Sequence, residues 1–193
     1  MGEPVTILAF GDSLTAGYGL DPGMAVPELL EDMLRSDGHN VTILNAGVSG
    51  DTTTGGLARL PWTLQQDADA AILELGANDG LRGEDLEVME SNLDAMLRLF
   101  DKRSMPVLFA GMKAMPNLGA EYAGEFAAVF SRLAERHDVI FYPFYLEGVA
   151  GDPELNLPDG IHPNEEGSRR IAENIYPYVV ELVEKTRRLR EAG

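Results

Sequence analysis

Three histidines occur in the chain, and one of them stands in a setting suited to chemistry. His162 lies in Leu157-Pro-Asp-Gly-Ile-His-Pro-Asn164, where two prolines and a glycine restrict the loop, and Asp159 precedes it by three residues. A turn of that length can bring a carboxylate to Nδ1 of the imidazole. Such a bond selects the tautomer that leaves Nε2 free as a base, and it stabilises the imidazolium formed when that base takes a proton. His39, in Asp37-Gly-His-Asn40, and His137, just after Ala-Glu-Arg136, read instead as exposed turn and helix-end residues.

A base of this kind needs a nucleophile. Ser13 sits in Gly11-Asp-Ser-Leu-Thr-Ala-Gly17, directly after the apolar run Val5–Phe10, where a following helix N-terminus supplies backbone donors and a positive dipole end. The same position suits a helix N-cap; the Asp-x-x-His element near the other end of the chain tips the reading toward a nucleophile. Gly-x-Ser-x-Gly does not occur, so no strained nucleophile elbow is expected and donors for a developing oxyanion must come from elsewhere. Two segments offer them. Asn45-Ala-Gly-Val-Ser-Gly-Asp-Thr52 contains Gly50, whose N–H can approach a ligand with no Cβ in the way. Gly76-Ala-Asn-Asp-Gly80 contains Asn78, whose side-chain amide donates through its NH₂.

The elements that must position these groups follow from periodicity. Val5–Phe10, Val41–Asn45, Ala70–Leu75, Pro106–Gly111 and Val139–Tyr142 are short apolar runs, four of them ending at or near Gly or Asn. Near-continuous apolar strands are buried on both faces, as in a parallel sheet flanked by helices. Ala25–Arg35 reads as a helix; Leu86, Met89, Leu93, Met96, Leu97 and Phe100 form one apolar helical stripe, and Tyr122, Phe126, Val129, Phe130 and Leu133 form another. A last stripe, Ile171, Ile175, Val179 and Leu182, contains Pro177, expected to kink or interrupt it. The expectation is a single α/β domain over residues 1–193: a three-layer α/β/α fold with a five-stranded, mostly parallel sheet. Ligands of such sheets bind beyond the carboxyl ends of the strands, where the four polar segments fall.

Composition narrows the chemistry. Of 193 residues, 15 are basic and 32 acidic, giving a net charge of −17, a surface that repels phosphate backbones and anionic headgroups. Neither nucleic acid nor a stable membrane anchor is expected. The one basic cluster, Lys185–Arg190, suits a helix C-terminus. With no cysteine, thiol catalysis, Cys-ligated zinc and iron–sulfur clusters are excluded. No cofactor or metal is called for, and His162-x-x-Glu165 reads as a helix start rather than a ligand pair. Val5–Phe10 is too short for a leader core or a membrane span, so the sequence as written reads as cytoplasmic, or as exported if a leader is removed before residue 1.

The four polar segments resemble, in order, the four blocks of the SGNH (GDSL-type) hydrolase family. Gly11-Asp-Ser-Leu-Thr-Ala-Gly-Tyr18 is similar to its nucleophile block, and Glu74-Leu-Gly-Ala-Asn-Asp-Gly-Leu-Arg82 to the block carrying the oxyanion asparagine. Asp159-Gly-Ile-His-Pro-Asn164 is similar to the block holding acid and base. The pattern, with Gly56-Leu-Ala-Arg-Leu-Pro61, is closest to bacterial multifunctional lysophospholipase, thioesterase and arylesterase enzymes. The resemblance implies a flavodoxin-like layered fold and a serine esterase acting on aryl or short-to-medium acyl esters, thioesters or lysophospholipids, with Ser13, Asp159 and His162 as catalytic triad. Its oxyanion hole would be the N–H groups of Ser13 and Gly50 with the amide of Asn78. Gly47 shares the second block, and the Ser-Gly-Asp setting favours Gly50 over it. Two alternatives remain at this level: a carbohydrate acetyl esterase of the same family, or a non-catalytic flavodoxin-like module that cradles an anion at Ser13 and Thr15.

Overall fold

The strand–helix alternation legible in the sequence is realised in a computed structural model that describes residues 3–192. In chain order the elements are β1 (Val5–Gly11), α1 (Ser13–Ala16), α2 (Val26–Ser36), β2 (Val41–Gly47), α3 (Thr53–Thr63), β3 (Ala70–Glu74) and α4 (Ala77–Arg82). Then follow α5 (Leu86–Asp101), β4 (Val107–Ala110), α6 (Ala120–Arg136), β5 (Ile140–Tyr142) and α7 (Glu165–Ala192). The five strands form one sheet in the order β2-β1-β3-β4-β5, and every pairing is parallel.

Sequence explains why the middle of the sheet is featureless in polarity. Every residue of β3 and β4 is buried, and so is all of β1 except Thr6, because helices cover both faces. α2 packs on α7 on one side; α3, α5 and α6 pack side by side on the other. The two predicted stripes supply that second layer: Met89, Leu93, Met96, Leu97 and Phe100 of α5, and Phe126, Val129, Phe130 and Leu133 of α6, are all buried. Each large apolar side chain so buried contributes roughly 1.5–3 kcal/mol. Local chemistry starts these helices: Asp85 accepts the Glu87 N–H at 2.8 Å ahead of α5, and Thr52 accepts the Gly55 N–H ahead of α3.

Two expectations are corrected. Pro177 does not interrupt the last helix; α7 runs unbroken for 28 residues. Pro177 and Glu173 both face solvent, so the Glu173 carbonyl that loses its helical partner is left where water can reach it. His39 and His137 are half-buried rather than exposed, His39 beside Arg187 of α7 and His137 with Nε2 2.8 Å from Asp94 of α5. That pairing crosses two helices far apart in sequence, so local context does not reveal it.

The strand order reverses direction between β1 and β3, the neighbours at the centre of the sheet. At such a switch point the loops leaving adjacent strands diverge to opposite faces and open a crevice. Ser13 follows β1 and Asn78 follows β3 into that crevice.

Candidate active site

β1 ends at Gly11, and the chain turns at once into the single-turn helix α1. Asp12 caps it, its Oδ1 accepting the Leu14 N–H at 2.9 Å. Ser13 is therefore the first residue of a helix, with an N–H that has no acceptor within that helix. Its side chain is brought out at the carboxyl edge of the sheet while only 8% of the residue remains exposed.

The segment carrying Asp159 and His162 is shaped by its own hydrogen bonds. Leu157 N–H donates to the His162 carbonyl at 2.7 Å, and an antiparallel bridge joins Asn156 to Pro163, so the loop is pinched at its base. Inside it, Asp159 Oδ1 accepts the N–H groups of Ile161 (2.9 Å) and His162 (3.0 Å). This leaves Oδ2 facing His162 Nδ1 at 2.6 Å. The backbone N–H of His162, then its ring and the Ile161 N–H, hold the Asp159 carboxyl down at about 2, so it is a carboxylate at any working pH. With Nδ1–H donating to Asp159, Nε2 is an acceptor, and the Ser13 hydroxyl lies 2.9 Å from it. Hydroxyl, imidazole and carboxylate thus form one continuous chain spanning 149 residues of sequence.

Asn78 lies in the first turn of α4, not in an open loop. Its amide donates to the Asp51 carbonyl at 2.9 Å and to Asp12 Oδ2 at 3.3 Å. The two glycines of the neighbouring loop differ. A Cβ on Gly47 would sit 2.3 Å from the Ala16 backbone nitrogen, and the Gly47 N–H is already bonded to Asn45 Oδ1 at 3.0 Å. Gly47 is a packing glycine against α1. Gly50 has left-handed backbone (φ +83°), open space around it, and an N–H with no acceptor among the described residues. Arg82 fastens this loop by donating to the Gly50 carbonyl at 3.1 Å.

Ser13, Asn78 and His162 line a common cavity of about 440 Å³; Gly50 and Asp159 stand outside its lining. Apolar groups dominate its walls, among them Leu81, Met112, Ala114, Met115, Phe144 and Leu146. Leu81 follows β3, Met112, Ala114 and Met115 follow β4, and Phe144 and Leu146 follow β5, so three separate segments build the cavity wall. Among the described residues no group of three or more His, Asp or Glu side chains could hold a metal ion, and no helix is long and apolar enough to cross a membrane.

Beneath the nucleophile lies a pair of carboxyl groups that sequence reading passed over. Asp12 and Glu74 are both fully buried. Thr15 donates its hydroxyl to Glu74 Oε2 at 2.8 Å. Burial, and then the charge of Asp12, push Glu74 well above the ordinary carboxyl range. Burial also lifts Asp12 to about 6, opposed by the Leu14 N–H and by a hydrogen bond from Glu74. Burial and the Asp12 charge make Glu74 hold its proton to higher pH than a free side chain does, and its Oε2 also accepts the Asp12 N–H at 3.5 Å. Glu74 closes a wholly apolar strand run, and Asp12 adjoins a more conspicuous serine; neither position suggests a partner without the register that pairs Gly11 with Glu74 across β1 and β3.

Known proteins resemble this chain in sequence and in fold. The sequence profile of the GDSL-like lipase/acylhydrolase family matches residues 9–170. An arylesterase of Vibrio mimicus is 43% identical over 168 residues, covering 86% of this chain and 84% of that protein. The crystal structure of TesA superposes with a TM-score of 0.88 at 37% identity, over 92% of this chain and 99% of that one. AlinE4, an SGNH-hydrolase family esterase of known structure, is 46% identical with a TM-score of 0.80, over 94% and 97% of the two chains. With the profile spanning most of the chain and relatives this similar along most of their length, the chain belongs to the GDSL-like lipase/acylhydrolase family.

Proposed function

We propose that the protein hydrolyses carboxylic esters through an acyl-enzyme on Ser13. The observation that carries this reading is the unbroken Asp159–His162–Ser13 chain, at 2.6 and 2.9 Å, opening on an apolar cavity. His162 Nε2 takes the hydroxyl proton as Ser13 Oγ attacks the carbonyl carbon, and Asp159 stabilises the imidazolium that forms. The carbonyl oxygen, becoming an anion, faces the N–H of Ser13, the N–H of Gly50 and the Asn78 amide. The two N–H donors stabilise the developing charge without reorganising, and the Asn78 amide joins them by exchanging its bond to Asp12 for one to the oxyanion. Collapse expels the alcohol, phenol or thiol with the proton from His162, and water repeats the sequence on the acyl-enzyme.

The cavity favours acyl groups longer than acetyl, because Leu81, Met112, Met115 and Leu146 offer apolar surface that an acetyl group would leave wet. That makes aryl and medium-chain acyl esters, with the corresponding thioesters, better substrates than acetylated sugars. A phosphate-cradling module gives no role to an imidazole held on the serine hydroxyl.

A fluorophosphonate probe followed by mass mapping tests the reading. A single adduct on Ser13, absent from Ser13→Ala and from heat-denatured protein, is expected; labelling elsewhere, or none in protein that is folded, overturns it.

A further inference from the structure

One aromatic ring touches the imidazole that the foregoing reading makes the base. α1 ends at Gly17, and the chain folds back so that Tyr18 N–H donates to the Ser13 carbonyl at 3.1 Å. This return lays the Tyr18 ring on His162, with ring centroids 4.4 Å apart and planes tilted by 38°. Tyr18 and His162 together line a small recess with Leu20, Val26, Pro163 and Ser168, whereas Tyr18 takes no part in lining the acyl cavity. The ring thus covers the imidazole from the side away from the substrate. It is also 53% exposed, so burying itself in a core does not explain its place.

A cation within about 6 Å of an aromatic centroid is attracted by the negative face of the ring. Once His162 takes the Ser13 proton in the transition state it is an imidazolium, and this attraction then operates. The groups that face the imidazole are Asp159 at Nδ1, Ser13 at Nε2, and the Asp12 carboxylate beneath. Asp159 steadies one edge of the cation, and the ring of Tyr18 stands over its face.

We infer that Tyr18 is a positioning residue for hydrolysis, its ring face holding His162 in line with Ser13 and stabilising the imidazolium that forms there. The inference rests on the acyl-enzyme reading given above. The phenol hydroxyl is incidental to it, so Tyr18→Phe preserves the effect. Tyr18→Leu fills similar space without a quadrupole and does not.

The test follows the three histidine rings by NMR titration in wild type, Tyr18→Phe and Tyr18→Leu, alongside kcat/KM against pH for a nitrophenyl butyrate. His39 precedes β2 and His137 precedes β5, at the amino ends of strands whereas Tyr18 follows the carboxyl end of β1, and they serve as internal references. In Tyr18→Leu the His162 midpoint and the acid limb of kcat/KM are expected to fall by about half a pH unit, with the two references unmoved. The plateau is expected to fall about threefold, mostly in kcat with KM little changed, as for a contact made only to the imidazolium. Tyr18→Phe is expected to coincide with wild type. A Tyr18→Leu variant whose His162 titrates with the wild type overturns the inference, as does a Tyr18→Phe variant that shifts as far as Tyr18→Leu. Wild-type protein that neither hydrolyses the ester nor takes the fluorophosphonate on Ser13 overturns the acyl-enzyme reading instead, and the titration still reports whether the ring acts on the imidazole.

Discussion

Asn78 donates to the Asp12 carboxylate at 3.3 Å while its other amide hydrogen is held by the Asp51 carbonyl at 2.9 Å. An amide NH₂ has two hydrogens, so in the resting enzyme neither is free for a substrate oxygen. Under the proposed function an oxyanion displaces the longer bond, to Asp12, while the shorter one keeps the side chain oriented. Asn78→Ala is expected to lower kcat by roughly 10²–10³ with a small change in KM, since the bond is made to the transition state. Steady-state kinetics on one nitrophenyl ester measures both; an equal rise in KM with kcat unchanged would place Asn78 in ground-state binding instead.

Asp159 performs two tasks with its two oxygens. Oδ1 holds the loop by accepting two backbone N–H groups, and Oδ2 faces the imidazole. Asp159→Asn keeps an acceptor for the loop but loses the charge beside Nδ1. It is expected to melt within a few degrees of wild type while kcat falls by roughly 10²–10⁴. Calorimetry and kinetics on the same sample separate these effects. A variant that loses both together would mean that Asp159 serves the loop alone.

The acid limb of the pH–rate profile does not belong to Asp159, whose carboxyl is held near 2. Lowering the pH from 7 to 5 protonates Asp12, lifted to about 6 and facing the imidazole, while Asp159 stays charged. Activity is therefore expected to fall below neutrality, and Asp159→Glu is expected to leave the position of that limb unchanged.

Glu74 makes stability depend on pH in the direction opposite to an ordinary paired carboxylate. Its folded-state affinity for a proton exceeds that of the unfolded chain, so the folded state holds the extra proton. Stability is then fully present below the unfolded value of about 4.3 and declines as pH rises above it. Asp12, raised from 3.8 to about 6, adds a decline over that window. Glu74→Gln keeps an acceptor for the Thr15 hydroxyl and the Asp12 N–H without a titrating proton. The fall in Tm between pH 5 and pH 8 is expected to shrink by roughly 3 °C, the effect of about 1 kcal/mol in a domain of this size. A variant with the same fall as wild type would show that Glu74 is ionised in the folded protein.

Cavity walls set acyl preference. Each methylene buried along Met112, Leu81 and Leu146 is worth about 0.8 kcal/mol, so kcat/KM is expected to rise about fourfold per added carbon until the cavity is full. Met112→Trp, which fills the cavity from a position only 3% exposed, is expected to move the optimum to shorter chains without lowering the rate on acetate. A nitrophenyl ester series from two to twelve carbons reads both.

The sheet and the triad candidates were legible for a simple reason: both are written locally. Runs such as Ala70–Glu74 and Val107–Ala110 are apolar because both sides of the sheet are covered, and that pattern needs no knowledge of the partner strand. Ser13, Asn78 and the Asp159–His162 pair each lie in a short stretch whose glycines, prolines and polar heads stand out unaided. Boundaries were less legible. Asn78 falls inside a helix, and Pro177 fails to end one, because solvent on its outer side accepts what the helix gives up.

Relations between distant segments were closed to sequence. Whether the Ser13 hydroxyl meets His162 across 149 residues depends on which strands become neighbours, and periodicity is silent on strand order. The Asp12–Glu74 pair, the commitment of Asn78 to Asp12 and Asp51, and the Tyr18 ring over His162 all arise from that order. Sequence alone determined the elements and the groups able to do chemistry, since each depends on its immediate neighbours along the chain. Tertiary structure alone decided which of those groups share a proton, because hydrogen bonding and charge act over a few ångströms of space and take no account of separation along the backbone.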